Sequence, residues 1–209
     1  MAGMQNVNRH ARSFLVFSSF ILIGFVASPA AGQASAPPAQ AQAQALQAQA
    51  PAKDAVPGIR NYTKVDATLA CGGALTAADA ISPLKQAGYK SIVNLRAASE
   101  QGADLEGERE AAEKAGLKYS HLPFVSSAPD PTKFDEFLKI VADAENQPLM
   151  LHCASGGRAS MFWAVKRVMI DGWPIDKAMS ELPELAKNVN ESVRTATLDY
   201  LKAHGKTRP

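Results

Sequence analysis

Pro148-Leu149-Met150-Leu151-His152-Cys153-Ala154-Ser155-Gly156-Gly157-Arg158 begins as an apolar run and ends in a short loop of small residues. Its first half has the length and composition of a strand buried on both faces of a parallel sheet. Its second half passes two glycines and enters a helical pattern over residues 159–171. Strand, glycine-containing loop and helix in that order mark the carboxyl edge of an open α/β sheet, where ligands bind. Consecutive amides in such a loop can turn inward as a nest, and the helix that follows adds its positive end, so the loop suits an anion. Gly156 and Gly157 allow the backbone conformations this requires, Ala154 and Ser155 keep the walls small, and Arg158 brings a planar fork that matches two anionic oxygens. The same field favours a thiolate at Cys153, which would put a nucleophile and an anion cradle in one loop. A buried, inert cysteine followed by a surface arginine is the plainer alternative.

Working outward, Lys90–Leu95 is a second β-branched run, Leu117–Phe124 a third, and Tyr62–Cys71 a weaker strand or hairpin. On the third, Leu117, Tyr119, His121 and Pro123 share one face and Lys118, Ser120, Leu122 and Phe124 the other. Between the strands lie helical patterns at Thr76–Ala87, Leu105–Ala115 and Pro131–Ala144, the last with Phe134, Phe137, Leu138 and Val141 at helical spacing. The alternation predicts an α/β domain with a central, mostly parallel sheet of four to five strands flanked by helices. The C-terminal third reads as helical, with Pro174–Leu182 and with Glu191–Ala203 behind an Asn190 cap. Phe162 and Trp163 are expected in the core. Glu106, Glu108, Glu110 and Glu113, alternating with Arg109 and Lys114, read as a solvated helix face.

The chain has 209 residues, and composition separates it into three parts. Residues 1–32 place Arg9 and Arg12 before an apolar run from Phe14 to Ala27 and small residues at Ala30-Ala31-Gly32, the pattern of a signal peptide. That run is short of the ~20 residues needed to span a bilayer, so a periplasmic or secreted protein without a membrane anchor is expected. Within 33–55, residues 33–52 are Ala, Gln or Pro at 18 of 20 positions and read as a disordered linker. The domain occupies 56–209. Removing the leader turns 22 basic and 20 acidic residues into 20 of each, which argues against nucleic-acid binding through general positive charge. Two cysteines are too few for a disulfide scaffold, and no His or acid cluster has metal-ligand spacing, so neither metal nor cofactor is expected.

On His152-Cys153 and Arg158 the chain resembles the cysteine-dependent protein tyrosine and dual-specificity phosphatases, whose signature is His-Cys, five residues, then Arg and a hydroxyl residue. Here four residues separate Cys153 from Arg158, and Ala159 takes the hydroxyl position. The shorter loop is similar to the bacterial beta-lactamase-hydrolase-like branch. So are Ile59-Arg60-Asn61-Tyr62, Ala70-Cys71-Gly72-Gly73, Val93-Asn94-Leu95-Arg96, Gly116-Leu117-Lys118-Tyr119 and Phe162-Trp163. The resemblance implies hydrolysis of a phosphorylated protein or small phosphoester through a phosphocysteine at Cys153, with Arg158 and the amides of 154–158 on the phosphate oxygens. It calls for an acid on the leaving oxygen. Asp130 sits in the right loop, yet Asp130-Pro131 is equally a helix cap, and His121 is another donor. Arg96, at the same sheet edge, would contact phosphate, brace the loop or pair with Glu100, Glu106 or Glu108, and His152 would orient the loop. In related phosphatases the segment of Cys71 runs near this loop, so a Cys71–Cys153 redox pair is expected beside the plain alternative of a buried strand cysteine. A rhodanese-like sulfurtransferase and a catalytically weak phosphate-binding module remain open.

Overall fold

The computed structural model describes residues 55–182 and 188–205. The leader and, apart from Ala55, the linker lie outside these residues. A five-stranded sheet runs in the order β1-β2-β5-β3-β4, with β1 Thr63–Lys64, β2 Leu69–Gly72, β3 Ser91–Asn94, β4 Lys118–His121 and β5 Leu149–His152. Only the β1–β2 hairpin is antiparallel. Among the described residues six α-helices accompany the sheet: α1 Ala77–Gln86, α2 Leu105–Lys114, α3 Thr132–Ala142, α4 Gly157–Met169, α5 Ile175–Ser180 and α6 Glu191–His204. The expected strand Leu117–Phe124 is regular only over Lys118–His121, but the Leu122 and Phe124 amides still donate to Asn94 O at 2.8 Å and Leu95 O at 3.0 Å, and both side chains lie in the core.

The pleat sends successive side chains of each strand to opposite faces, so a continuous apolar strand feeds two cores at once. Met150 and Ile92 join Ile81, Leu84 and Leu117 beneath α1 and α2. Leu149, Leu151, Cys153 and Val93 join Phe124, Phe134, Phe137, Phe162 and Leu201 beneath α3, α4 and α6. Phe162 stands edge-on to Phe124, with ring centroids 5.0 Å apart, an arrangement the aromatic quadrupoles favour.

Helix α4, which leaves the loop of interest, is buried along nearly its whole length. A helix in that position must neutralise any charge it carries, because a buried unpaired cation is far more costly than a paired one. Lys166 therefore meets Asp66 and Asp171, each at 3.0 Å, and Arg167 meets Asp171 at 3.1 Å and Glu181 at 3.2 Å. The Arg167 guanidinium also lies over Trp163, 3.7 Å from the ring centroid. Asp66 closes the β1–β2 turn by accepting the Thr68 and Leu69 amides at 2.7 and 3.0 Å. The hairpin is thus tied to α4, and α4 is held where its first turn faces β2 and β5.

Candidate active site

Parallel pairing puts the ends of β2, β3 and β5 level, with Gly72, Asn94 and His152 in register. Cys153 follows at once, its amide donating to Gly72 O at 3.2 Å. The loop is then anchored by its carbonyls. Ala154 O accepts from the Ala74 amide at 2.9 Å, and Ser155 O accepts from Asn61 Nδ2 at 3.0 Å. A trans peptide points its carbonyl and the next N–H in opposite directions, so both anchors turn the following amides the other way. The Gly156 amide accordingly reaches the Cys153 Sγ at 3.2 Å. Gly156 holds φ +100°, a conformation open to glycine and strained for other residues, as it starts α4.

Gly73 makes this approach feasible. A Cβ there would stand 3.0 Å from Ala154 O and 3.1 Å from Arg60 O, both backbone atoms. Gly73→Ala is expected to push the loop off the hairpin and to lower turnover and thermal stability together, by roughly the 1–3 kcal/mol of an overpacked site in stability. Differential scanning fluorimetry alongside a phosphatase assay checks it, and unchanged values for both would refute this packing role.

Arg158 is nearly buried, and Glu100 grips it end-on. Nη1 donates to Oε1 at 2.6 Å and Nη2 to Oε2 at 2.7 Å, while Nη1 also donates to Leu95 O at 3.0 Å and Phe124 O at 2.9 Å. A guanidinium has five N–H groups, and these contacts leave Nε–H and the second Nη2–H along one edge for an anion. For Arg158, burial acts downward, but the hydrogen bond from Glu100 and the charges of Cys153 and Glu100 raise its pKa above the ordinary value. For Glu100, burial acts upward, but hydrogen bonds from Arg158 and the Ala97 amide, with the charges of Arg158 and Arg96, bring its carboxyl below the usual range.

The other expected site residues fall differently. Arg96 spends its guanidinium on its own loop, donating to Gly102 O at 2.8 Å and Gln101 O at 2.6 Å, with Glu100 at 3.6 Å. It braces the segment that carries Glu100, so of the three roles left open the structure shows the bracing and the pairing with Glu100. His121 Nε2 is hydrogen-bonded to Arg96 O at 2.7 Å, a structural role. Asp130 is exposed and accepts the Thr132 amide at 3.0 Å and hydroxyl at 2.7 Å. Those two hydrogen bonds lower its pKa and hold the carboxyl ionised just ahead of Pro131, the N-cap of α3. His152 is wholly buried, and its ring nitrogens make no hydrogen bond; Nε2 instead faces Glu108 Oε2 at 3.3 Å. Glu108 is 2% exposed, which corrects the reading of all four glutamates as a solvated face. Ala159 has no hydroxyl, and that of Ser160 donates to Gly157 O at 2.7 Å.

Sequence reasoning missed the anchoring role of Asn61 and the grip of Glu100 on Arg158. Asn61, a non-glycine residue at φ +52°, entered the sequence reading only within Ile59-Arg60-Asn61-Tyr62, with no role of its own. Glu100 was visible only as a neighbour of Arg96 in the chain.

A family model described as "DSP-PTPase phosphatase fused to NAD+ Kinase" matches residues 50–200. The chain belongs to this family of cysteine-dependent phosphatases. The phosphatase is 37% identical over 89 residues to the beta-lactamase hydrolase-like protein of Xylella fastidiosa strain Temecula1, a match over 41% of this chain and 20% of that protein. The match therefore spans about a fifth of that curated relative's length. Among solved structures, the phosphatase is similar to a DUF442 protein from Shewanella putrefaciens CN-32, with TM-score 0.60 and 20% identity over 71% of this chain and 95% of the other. It is also similar to TpbA of P. aeruginosa, with TM-score 0.53 and 20% identity over 72% and 86%. At these identities the structural likeness speaks for the shared fold.

Proposed function

We propose that this phosphatase hydrolyses phosphomonoesters through a phosphocysteine at Cys153. One observation carries the reading: at the carboxyl end of a parallel strand a loop amide donates to the Cys153 sulfur at 3.2 Å, and the charge of that sulfur acts on the Arg158 guanidinium at the start of the next helix. In the proposed reaction the sulfur attacks phosphorus, the P–O bond to the leaving group breaks, and that oxygen takes up a proton. Water then attacks phosphorus, the P–S bond breaks, and the thiolate and inorganic phosphate are released. The free edge of Arg158 and the amides of 154–158 hold the equatorial oxygens and meet the charge that grows on them. His152 and Arg96 support this cradle from behind rather than touch the substrate.

Asp130, engaged by the Thr132 amide and hydroxyl, supplies little leaving-group protonation, which favours esters of acidic alcohols such as aryl phosphates. TpbA has been crystallised with phosphotyrosine, which supports the same class of substrate here. Asp130→Asn is expected to change kcat/KM for para-nitrophenyl phosphate and phosphotyrosine by less than about threefold, whereas removal of a working general acid costs ~10²–10⁴. A loss in the larger range on phosphotyrosine would return Asp130 to the acid's role. The reaction itself is tested by phosphate release from para-nitrophenyl phosphate against sulfur transfer from thiosulfate to cyanide. Turnover of the second and not the first would favour a sulfurtransferase.

We also infer that Cys71 can resolve an oxidised Cys153. Both thiols are free and buried. A peroxide would convert the Cys153 thiolate to a sulfenic acid with loss of hydroxide, and the Cys71 thiolate would then displace the second hydroxide from that sulfur. Two facts make the step slow. Burial, with the charges of Cys153 and Asp66, pushes the Cys71 thiol well above its ordinary value, so little thiolate is present. Cys71 pairs with Leu151, two residues before Cys153, a diagonal of about 8 Å between Cα atoms that exceeds the ~4.4–6.8 Å of a disulfide, so the loop must give way. Non-reducing peptide mapping after peroxide should find the 71–153 linkage. A hyperoxidised Cys153 beside a free Cys71 would remove the pair. Export is proposed from the leader alone, and sequencing the mature amino terminus tests it.

A further inference from the structure

Glu108 stands out from its neighbours in the chain. It comes from the first turn of α2, where a carboxylate ordinarily faces water, yet it is buried against the sheet. Its Oε2 accepts from Asn94 Nδ2 of β3 at 2.5 Å and from the Tyr119 hydroxyl of β4 at 3.2 Å, and faces His152 Nε2 of β5 at 3.3 Å. Asn94 in turn accepts the Arg96 amide at 2.8 Å, so residues of three adjacent strands meet at one carboxylate. Burial, followed by the charge of Glu108, pushes the Tyr119 hydroxyl well above its ordinary range, so it stays a donor. An imidazole nitrogen facing a carboxylate carries a hydrogen, since two lone pairs would repel, so the carboxylate selects the tautomer as well as the tilt.

His152 and Cys153 are consecutive and point to opposite faces of the sheet. The carboxylate therefore cannot touch the sulfur. It can act on the peptide between them, whose neighbours are the ladder bonds from the Leu95 amide to His152 O at 2.9 Å and from the Cys153 amide to Gly72 O at 3.2 Å. Both ring nitrogens of His152 are shut off from solvent, and neither has a hydrogen bond. The interaction with Glu108 is thus the polar restraint the structure gives this ring. Without it the ring could turn, and the strand end and the loop amide on the sulfur would turn with it.

We propose that Glu108 is a positioning residue that acts through His152 on Cys153, holding the strand end so that the loop amide stays on the sulfur. This rests on Cys153 being the nucleophile, as proposed above. The titratable groups around the imidazole are Glu108 from α2 and Tyr119 from β4; on the far face, Cys153 meets Arg158 and Cys71.

The test uses the full chain with Glu108→Gln, His152→Asn and the double variant. Turnover is measured on para-nitrophenyl phosphate, and alkylation of Cys153 by iodoacetamide is followed across pH. Glu108→Gln is expected to lower kcat about tenfold with KM nearly unchanged, since it loosens a positioned group and removes no substrate contact. The alkylation midpoint should move to higher pH, because the amide that stabilises the thiolate is less well held. A carboxylate acting on the sulfur by charge alone would move it lower on removal. In the His152→Asn background the same change should have no further effect, as coupled residues show. An unchanged or lowered midpoint, or equal losses in both backgrounds, would overturn the proposal. Should Glu108→Gln fail to fold, Tyr119→Phe removes one of its donors and leaves the charge. That variant is expected to lower kcat two- to threefold, to about the value of one neutral hydrogen bond, and unchanged kcat would overturn the proposal as well. Alkylation requires no phosphatase turnover, so failure of the reaction assignment and failure of the positioning role give different results.

Discussion

Cys153→Ser is expected to lower kcat on para-nitrophenyl phosphate by about 10⁴-fold or more while leaving inorganic phosphate bound within a few-fold of its original affinity. The two halves of that outcome have separate causes. In the proposed site phosphate is held by backbone amides and by Arg158, none of which the substitution removes, and a serine hydroxyl can still accept from the Gly156 amide that now meets the sulfur at 3.2 Å. Turnover needs an anionic nucleophile at neutral pH. A thiol, whose ordinary pKa is about 8.5, can supply one, whereas the far less acidic serine hydroxyl cannot. Isothermal titration with phosphate and a steady-state assay on the same preparation separate the two. Retention of more than about a hundredth of the turnover would place the nucleophile elsewhere.

Arg158→Lys should be nearly as damaging, with kcat/KM falling by about 10³-fold although the charge is kept. The lysine loses the planar fork on both sides. One edge no longer matches two phosphate oxygens, and the opposite end no longer meets both oxygens of Glu100, now 2.6 and 2.7 Å away. A single ammonium also cannot satisfy Leu95 O and Phe124 O while reaching a ligand. Glu100→Gln is the milder companion, with a loss of about tenfold, because the fork remains and only its anchor weakens. The ion pair has a pH signature. The Glu100 carboxyl lies below its unfolded value in the folded chain, so the stability it contributes is complete above about pH 4.3 and is lost as pH falls through the lower, folded value. The difference in melting temperature between the parent and Glu100→Gln should therefore hold at neutral pH and close on acidification below ~4. A gap that persisted at pH 2 would show that Glu100 acts by packing rather than by charge.

The residues that sequence analysis read well share a property: their meaning is local. Leu149-Met150-Leu151 announces a strand because three apolar residues without a polar break can be buried on both faces, and the two glycines before Arg158 announce a turn that starts a helix. Asp130-Pro131 carried two meanings, and the turn contact to the Thr132 amide formed because that amide lies within reach of the carboxylate whatever the rest of the molecule does. Glu108 was misread for the opposite reason. Its neighbours in the chain are exposed charges, and nothing within a few residues reports that Asn94, Tyr119 and His152 wait behind it.

From the sequence alone came the sheet and its flanking helices, the strand–loop–helix that holds Cys153 and Arg158, and the resemblance of that loop to a phosphatase cradle. Periodicity and turn chemistry act between residues a few positions apart, and so they can be read along the chain. Tertiary structure alone decided the partners of the buried charges: Glu100 on Arg158 across 58 residues, Asp66 on Lys166 across 100, and Glu108 facing His152. Burying a charge demands a partner, but that demand does not specify which of 20 acidic residues will answer it. The choice is made when the strand ends come into register and the helices close over them.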